Sequence, residues 1–336
     1  MNEADGNYML AAIDLARKGY GRTSPNPMVG ALLVKDQAII GKGWHKGAGK
    51  AHAEIEALEN ARQNNFDVKG STLYVTLEPC STSGRTPPCA QAIIDSDLKC
   101  VVVAATDPNP KHSGNAYRLF HKAGVEVRRG VLEENATELN AAFNHWITNK
   151  TPYVTVKAAM TLDGKIAREN GESRWITSEI ARQKGMRIRN GMDAILVGIE
   201  TVLADDPRLT IRAGRGGVRL RRVVLDSRAR TPLKAKIVAS NPAGLTTIVV
   251  LKGASRRRLN ELRKRVNVIV APAKKGRIDL KWLLKRLGKE NIISLLVEGG
   301  GRVNAAFLIE QLVQSVAFFY APKILGGSRS RMAVAG

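Results

Sequence analysis

Apolar positions along this chain change period repeatedly, and each change marks an element. From residue 7 to 19 they fall at helical spacing (Met9, Leu10, Ile13, Leu15, Ala16) and stop at Gly19, which predicts a helix. Thr23-Ser24-Pro25-Asn26-Pro27 cannot be helical and predicts a shaped loop. Apolar runs at 28–34 and 38–44 flank Lys35-Asp36-Gln37 and predict a hairpin. A helix is expected over 52–61, a strand over 72–77, a helix over 89–94 opened by Pro88, and a strand over 100–105. Further on, 117–123 predicts a short helix, 125–127 a short strand, and 133–147 a single amphipathic helix. Strands alternating with helices predict an α/β domain around one sheet.

Asn149-Lys150-Thr151-Pro152 punctuates the pattern, and the domain boundary is placed there, giving domains at 1–149 and 150–336. The second stretch restarts with a strand at 153–158. A helix at 178–190 follows, then strands at 194–198, 222–226, 235–239, 246–251 and 267–271. A helix at 279–288 precedes the most apolar strand, 292–297, which runs into Glu298-Gly299-Gly300-Gly301, a helix at 303–311 and a strand at 316–320. This half is α/β as well.

Composition narrows the class. With 336 residues and 44% hydrophobic positions the chain can build two cores. No apolar run reaches 18 residues, so no membrane span is expected. The N-terminus has acidic residues where a secretory leader needs basic ones, so a cytoplasmic enzyme is expected. Three cysteines make a disulfide framework improbable and favour metal, with Cys100 expected simply to be buried in its apolar run. The net charge of +23 is lopsided: residues 1–150 hold 17 Lys+Arg against 16 Asp+Glu, and the remainder 36 against 14. Such a field suits phosphorylated substrates, anionic cofactors or nucleic acid, although a solvated basic surface gives the same count.

The chemistry concentrates in His52-Ala53-Glu54, Glu78-Pro79-Cys80 and Pro87-Pro88-Cys89. His52, Cys80 and Cys89 make three zinc ligands and leave a fourth position open, the composition of a catalytic rather than a structural site. Glu54 is then the proton carrier, and H-x-E followed by P-C and C is the zinc deaminase signature. Cys80 and Cys89 are spaced more widely than in many zinc sites, but the flanking motifs restore the specificity. Asn26, His45 and His112 are candidate substrate contacts, and each serves equally as ordinary loop polarity.

The second half lacks G-x-G-x-x-G after its first strand, so a Rossmann dinucleotide domain is not supported. Glu298-Gly299-Gly300-Gly301 lies between a strand and a helix, where backbone amides bind phosphate, and where a tight turn would look the same. Lys157 near Asp163-Gly164-Lys165, and the 201–207 stretch beyond a strand end, are the other polar clusters at positions where open α/β sheets hold ligands.

Together these stretches resemble the bifunctional riboflavin-biosynthesis deaminase–reductases, the RibD family. The resemblance is carried by Thr23-Ser24-Pro25-Asn26-Pro27, His52-Ala53-Glu54, and Glu78-Pro79-Cys80 through Gly84-Arg85-Thr86-Pro87-Pro88-Cys89. In the second half it is carried by Met160-Thr161-Leu162-Asp163-Gly164-Lys165-Ile166-Ala167, Trp175-Ile176-Thr177-Ser178, Asp193 to Gly198, Thr201 to Pro207, Val224-Leu225-Asp226-Ser227 and Val297-Glu298-Gly299-Gly300. It implies a cytidine-deaminase-like zinc domain, a mixed sheet with helices on both faces, followed by a dihydrofolate-reductase-like α/β domain that uses NADPH. The first would remove the 2-amino group of a diaminopyrimidinone carrying a ribosylamino 5′-phosphate. The second would reduce the ribosyl group to ribityl, giving 5-amino-6-(5-phosphoribitylamino)uracil.

Carried over residue by residue, the resemblance implies substrate contacts at Lys157, Ser173, Arg189, Leu209, Arg212 and Glu298, beside the candidates Asn26 and His45 in the first half. It implies NADPH contacts at Ala159, Trp175, Thr201, Asp205, Ser227, Gly300 and Gly301. It also implies a homo-oligomer. Thr82 stands where the family usually has a histidine, and 111–116 differs from the usual Val-x-Gly-x-Gly. Gln314-Ser315 replaces a common acidic pair, and a further strand is expected where the chain ends at Gly336.

Two other readings are distinguishable. A nucleoside or tRNA-adenosine deaminase with a basic RNA-binding accessory domain would leave the second half's motifs unexplained. A nucleic-acid-binding protein with a structural zinc would bind in a salt-sensitive way, release no ammonia and need no Glu54. Nucleic acid is therefore not the expected partner.

Overall fold

The computed structural model describes residues 3–82, 88–169, 171–172, 175–211, 220–240 and 244–335. The chain divides into two compact units, Met1–Asn149 and Lys150–Gly336.

In the first unit α1 (Glu3–Arg17) leads into a hairpin of β1 (Gly30–Lys35) and β2 (Ala38–Trp44). Then come α2 (Ala53–Gln63), β3 (Thr72–Leu77), α3 (Cys89–Ile94), β4 (Cys100–Ala105), α4 (Asn115–Lys122), β5 (Glu126–Arg129), α5 (Glu133–Leu139) and α6 (Ala141–Asn149). The sheet order is β2-β1-β3-β4-β5. β1 is antiparallel to both neighbours, and β3, β4 and β5 run parallel. Period-2 alternation distributes the strand side chains to two cores. Ala31, Leu33, Leu73, Val75, Val101 and Val103 meet α2, α3 and α4 on one face. Leu32, Val34, Tyr74, Cys100 and Val102 meet α1 and α5 on the other. Helices thus cover both faces of a mixed sheet.

The expected single helix over 133–147 is two helices. Asn140 interrupts it, because its buried side chain bonds both main-chain groups of Met28 instead of facing solvent.

The second unit opens with β6 (Tyr153–Thr161), β7 (Lys165–Ala167), α7 (Glu179–Asn190), β8 (Ala194–Gly198), α8 (Ile199–Asp205) and β9 (Arg221–Leu225). It continues with α9 (Lys236–Ala239), β10 (Thr246–Leu251), α10 (Arg256–Arg263), β11 (Asn267–Ala271) and the small ladder of β12 (Ala273–Lys274) and β13 (Arg277–Ile278). α11 (Leu280–Lys289), β14 (Ser294–Val297), α12 (Gly301–Ile309), β15 (Ser315–Ala321) and β16 (Arg331–Met332) complete it. The main sheet runs β11-β10-β9-β8-β14-β6-β15, and every pairing in it is parallel. Both faces of such a sheet must be covered. Ile195, Val197, Val224 and Ile248 pack toward α9 and α10. Leu196, Val223, Val249 and Leu295 pack toward α11 and Phe307 of α12. β16 pairs instead with β7.

The strand expected at 235–239 is the short helix α9. Its adjacent Ile237 and Val238 are both buried, whereas a half-buried strand would point one of them outward.

Candidate active sites

The first site is built by three element ends. His52 is the N-cap of α2, so its ring leaves the chain just before the helix begins. Glu54, in the first turn, is buried. Cys80 follows the end of β3, and Cys89 opens α3. His52 Nδ1 lies 3.1 Å from Cys89 Sγ and 3.6 Å from Cys80 Sγ, and the three ligand atoms fall within 4.8 Å of one another. Tetrahedral zinc with bonds near 2.0–2.3 Å needs ligand atoms about 3.5–3.8 Å apart, so this donor set fits the ion with shifts of a few tenths of an ångström. The Cys89 main-chain N–H donates to Cys80 Sγ at 3.2 Å.

Electrostatics match that use. Hydrogen bonding with Cys89 and His52 pulls the Cys80 thiol down, while the contact with Cys80 and burial hold Cys89 up. His52 is raised by its bond to Cys80. Burial pushes the Glu54 carboxyl up to about 7, with His52 opposing.

Around this cluster is a cavity of about 300 Å³ that contains Asn26, His45, His112 and Glu54 and has an apolar wall of Phe143, Trp146 and Ile147. His45 is 3% exposed, and both its ring nitrogens are engaged, Nδ1 by Ala51 O at 3.0 Å and Nε2 by Asn26 Nδ2 at 3.1 Å. The carbonyl can only accept, so the Nδ1–H tautomer follows. Nε2 then accepts from the amide, leaving Asn26 Oδ1 as an acceptor for a ligand. His112 lines the cavity with a buried Nδ1 that has no hydrogen-bond partner among the described residues.

Sequence reasoning missed Glu78 as a functional residue. Its buried carboxylate accepts from the main-chain N–H groups of Asp107 (3.3 Å), Gly114 (3.0 Å) and Ala116 (3.1 Å), and so shapes the loop that carries Asn109 and His112. A charged residue directly before Pro79-Cys80 at a strand end was the available signal. The segment 83–87 between the cysteines lies outside the described residues.

The second site lies along the carboxyl ends of parallel strands, where open α/β sheets bind ligands. β8 delivers Thr201 and Asp205 on α8, β9 delivers Ser227, and β14 delivers Glu298, Gly300 and Gly301. Gly300 caps α12 with no side chain; the Val303 and Asn304 N–H groups turn back onto Gly300 O, and Gly301 is buried against Met332 and Ala335, so it is the main chain of residues 300–302 that remains to meet an anionic group such as a dinucleotide's diphosphate. β6 carries Lys157 and Ala159 into a smaller cavity of about 190 Å³ with Trp175, Thr177, Arg182 and Phe319. The ring of Trp175, 63% exposed, has the Arg182 guanidinium 4.3 Å from its centroid. Arg182 also donates to Thr177 O at 2.8 Å. A cation one turn into α7, seven residues beyond Trp175, carries no motif, so Arg182 was not legible beforehand.

Arg189 and Glu298, both expected at substrate, are ion-paired to each other at 2.6 Å. Leu209 has its side chain buried in the core, which leaves only its main chain to face a ligand. Ser173 and Arg212 lie outside the described residues.

A family model described as the cytidine and deoxycytidylate deaminase zinc-binding region matches residues 2–105, and one described as the RibD C-terminal domain matches 152–336. The chain is 45% identical over 326 residues to the riboflavin biosynthesis protein RibD of Aquifex aeolicus, covering 97% of this chain and 89% of that one. This chain belongs to the RibD family. The Escherichia coli RibD is 37% identical, with 96% of this chain and 89% of the relative covered. Among solved structures, Acinetobacter baumannii RibD superposes with a TM-score of 0.88 at 38% identity, covering 99% of this chain and 91% of that one. A Thermotoga maritima protein described as a diaminohydroxyphosphoribosylaminopyrimidine deaminase/5-amino-6-(5-phosphoribosylamino)uracil reductase superposes at 0.87 and 39% identity, covering 98% and 90%. As a RibD protein, the chain is a bifunctional deaminase and reductase of riboflavin biosynthesis that works with zinc and NADPH on a phosphorylated pyrimidine. Among the described residues no helix is long and apolar enough to cross a membrane.

Proposed function

We propose that residues 1–149 deaminate 2,5-diamino-6-ribosylamino-4(3H)-pyrimidinone 5′-phosphate. We propose further that residues 150–336 reduce the ribosyl group of the product to ribityl. The observation that carries the first half is the His52–Cys80–Cys89 cluster with buried Glu54 beside it in one cavity. Bound there, zinc supplies Lewis acidity and a water acidified toward neutral pH. A Glu54 carboxylate oxygen would take a proton from the attacking water and give it to the ring nitrogen as the C–O bond forms. It would then carry the proton of the new hydroxyl to the amine, so that the C–N bond breaks, the carbonyl forms and ammonia leaves. Asn26 presents Oδ1 to a donor group of the substrate, and His45 holds that amide in orientation.

In the second half NADPH supplies the hydride. Trp175, Ala159, Thr201, Asp205, Ser227 and the Gly300-Gly301 turn would hold the cofactor, and Lys157, Arg189, Glu298 and the Leu209 main chain would contact the sugar phosphate; Ser173 and Arg212 are assigned to the substrate on the family resemblance alone. Alignment of donor and acceptor carbons is the main requirement. The excess of 36 Lys+Arg over 14 Asp+Glu beyond residue 150 draws in two anionic ligands, and serves small molecules rather than nucleic acid.

The protein acts in the cytoplasm as a homo-oligomer. Among the described residues β15 is an edge strand that pairs with β6 and no other strand, and Val316 and Tyr320 on it are more than half exposed, a surface suited to a second copy. Light scattering of the purified protein tests that point. The catalytic reading is tested by giving zinc-loaded protein the diaminopyrimidinone ribosylamino phosphate, following ammonia, then adding NADPH and following its oxidation. Ammonia followed by NADPH loss, with the first abolished by Glu54→Gln, is the expected result; no ammonia with zinc bound overturns the substrate assignment.

A further inference from the structure

The break between α5 and α6 is a built feature. Asn140 is 3% exposed, its Oδ1 accepts from the Met28 N–H at 2.8 Å, and its Nδ2 donates to Met28 O at 2.9 Å. One side chain thus satisfies both main-chain groups of a residue 112 positions away. Immediately before Met28 is the Pro25-Asn26-Pro27 turn, whose Asn26 is fixed to His45. Immediately after Asn140 is α6, which places Phe143, Trp146 and Ile147 in the same cavity as His52 and Glu54. Steps of three and four residues put these three side chains on one helix face. The zinc-binding region model ends at residue 105, so this wall lies outside it.

We propose that Asn140 is a positioning residue of the deaminase site. It ties the 25–28 turn to α6, so that the polar and apolar sides of the pocket hold one spacing, and Trp146 is the surface on which the substrate's heterocycle stacks. A planar ring held between an aromatic face and fixed hydrogen-bond partners is constrained in both tilt and depth. Had Asn140 only to end a helix, it would need neither bond to Met28. Had the wall only to close a core, Trp146 would not face the cavity. The proposal rests on the deaminase reading above, and the test separates the two.

Zinc-loaded full-length protein is compared with Asn140→Ala, Asn140→Asp, Trp146→Ala and Trp146→Phe. Ammonia release is measured on the diaminopyrimidinone phosphate, NADPH oxidation on the deaminated compound, and exchange of the Met28 amide by hydrogen–deuterium methods. Asn140→Ala is expected to raise KM for deamination about tenfold or more with a smaller fall in kcat, because the reacting ring is misplaced rather than the chemistry removed. Met28 exchange speeds up about tenfold or more in the same variant. Asn140→Asp keeps the acceptor for the Met28 N–H but sets a second oxygen against Met28 O, so its KM also rises; it serves as well if the alanine variant does not fold. Trp146→Ala raises KM comparably, Trp146→Phe recovers most of it, and NADPH oxidation is unchanged throughout. A wild-type KM in Asn140→Ala or Trp146→Ala, a phenylalanine variant as impaired as the alanine one, or unaltered Met28 exchange overturns the proposal. If the wild type itself releases no ammonia, the substrate reading has failed, and Met28 exchange still decides the tether.

Discussion

The two pockets of this chain solve different problems. The deaminase pocket gathers three ligand atoms within 4.8 Å and encloses a carboxylate that is 3% exposed. The candidate reductase residues are spread along the carboxyl ends of several parallel strands, and Trp175 among them is 63% exposed. A metal-assisted hydrolysis needs a few atoms fixed to tenths of an ångström in low dielectric. A hydride transfer needs two large anionic ligands laid side by side, so its contacts are many, shallow and distributed. The contrast is sharpest where each pocket uses a carboxylate. Glu54 is raised by burial among the zinc ligands, beside His52 and Cys89, whereas Glu298 is ion-paired to Arg189.

The largest effect should break the two sites apart. Glu54→Gln is expected to lower ammonia release by about 10²–10⁴-fold, the usual worth of a general acid–base group. Zinc content should stay at wild type, and NADPH oxidation on the deaminated compound should be unaffected. Stripping zinc with a chelator should give the same split. Loss of NADPH oxidation in either experiment would show that the two activities do not separate as the two sites do.

That contrast also explains what the sequence disclosed. His52, Glu54, Cys80 and Cys89 sit at strand and helix ends within short, chemically rare strings, so local spacing alone predicts their convergence. Most strands were legible as short apolar runs bounded by turn residues, the pattern of strands covered on both faces; Thr72–Leu77 and Thr246–Leu251 have the expected bounds. The 235–239 segment misled because four or five apolar residues suit a buried helix as well as a strand. Asn140 was hidden because its partner lies 112 residues away, beyond any local pattern. In the reductase half the pairing of Arg189 with Glu298 and the burial of Leu209 are tertiary facts that a motif cannot encode.

The next effect probes how far the deaminase pocket depends on a frame. Glu78→Gln turns an N–H₂ toward main-chain donors that now meet a carboxylate, leaving at least one buried N–H unpaired. The expected cost is about 2 kcal/mol in urea unfolding of the first unit. Deaminase KM should rise through the displaced 107–116 loop, while reductase constants stay put. If stability were unchanged, the loop would have to be held by other contacts.

A smaller effect should appear at the distributed site. Arg182→Met keeps much of the aliphatic cover of Trp175 and removes the charge stacked 4.3 Å from its ring. At an exposed aromatic this is worth about 0.5–1 kcal/mol, so KM for NADPH should rise about two- to fivefold with kcat little changed. An effect of 10²-fold or more, beyond about 2.7 kcal/mol, would place Arg182 on a reacting group and erase the contrast with the concentrated pocket.

The smallest effect concerns the support of that site. Asp163 accepts from the Thr161 hydroxyl at 2.6 Å and from the main-chain N–H groups of Leu325 (3.1 Å) and Gly326 (2.8 Å), which hold its carboxyl down to about 2. It fastens the turn between β6 and β7 to the segment after β15. A carboxyl depressed in the folded state stabilises fully above its unfolded value, about 3.9 for aspartate, and that contribution fades as pH falls from about 4 toward 2. Melting of the wild type and Asp163→Asn should therefore differ at pH 5 to 7, and the gap should shrink below pH 4 and close as pH nears 2. The carboxyl is solvent-screened, so the gap should be a few degrees at most. Equal melting at every pH would mean that the distributed site tolerates a loosened support, where the compact one, by the Glu78 experiment, does not.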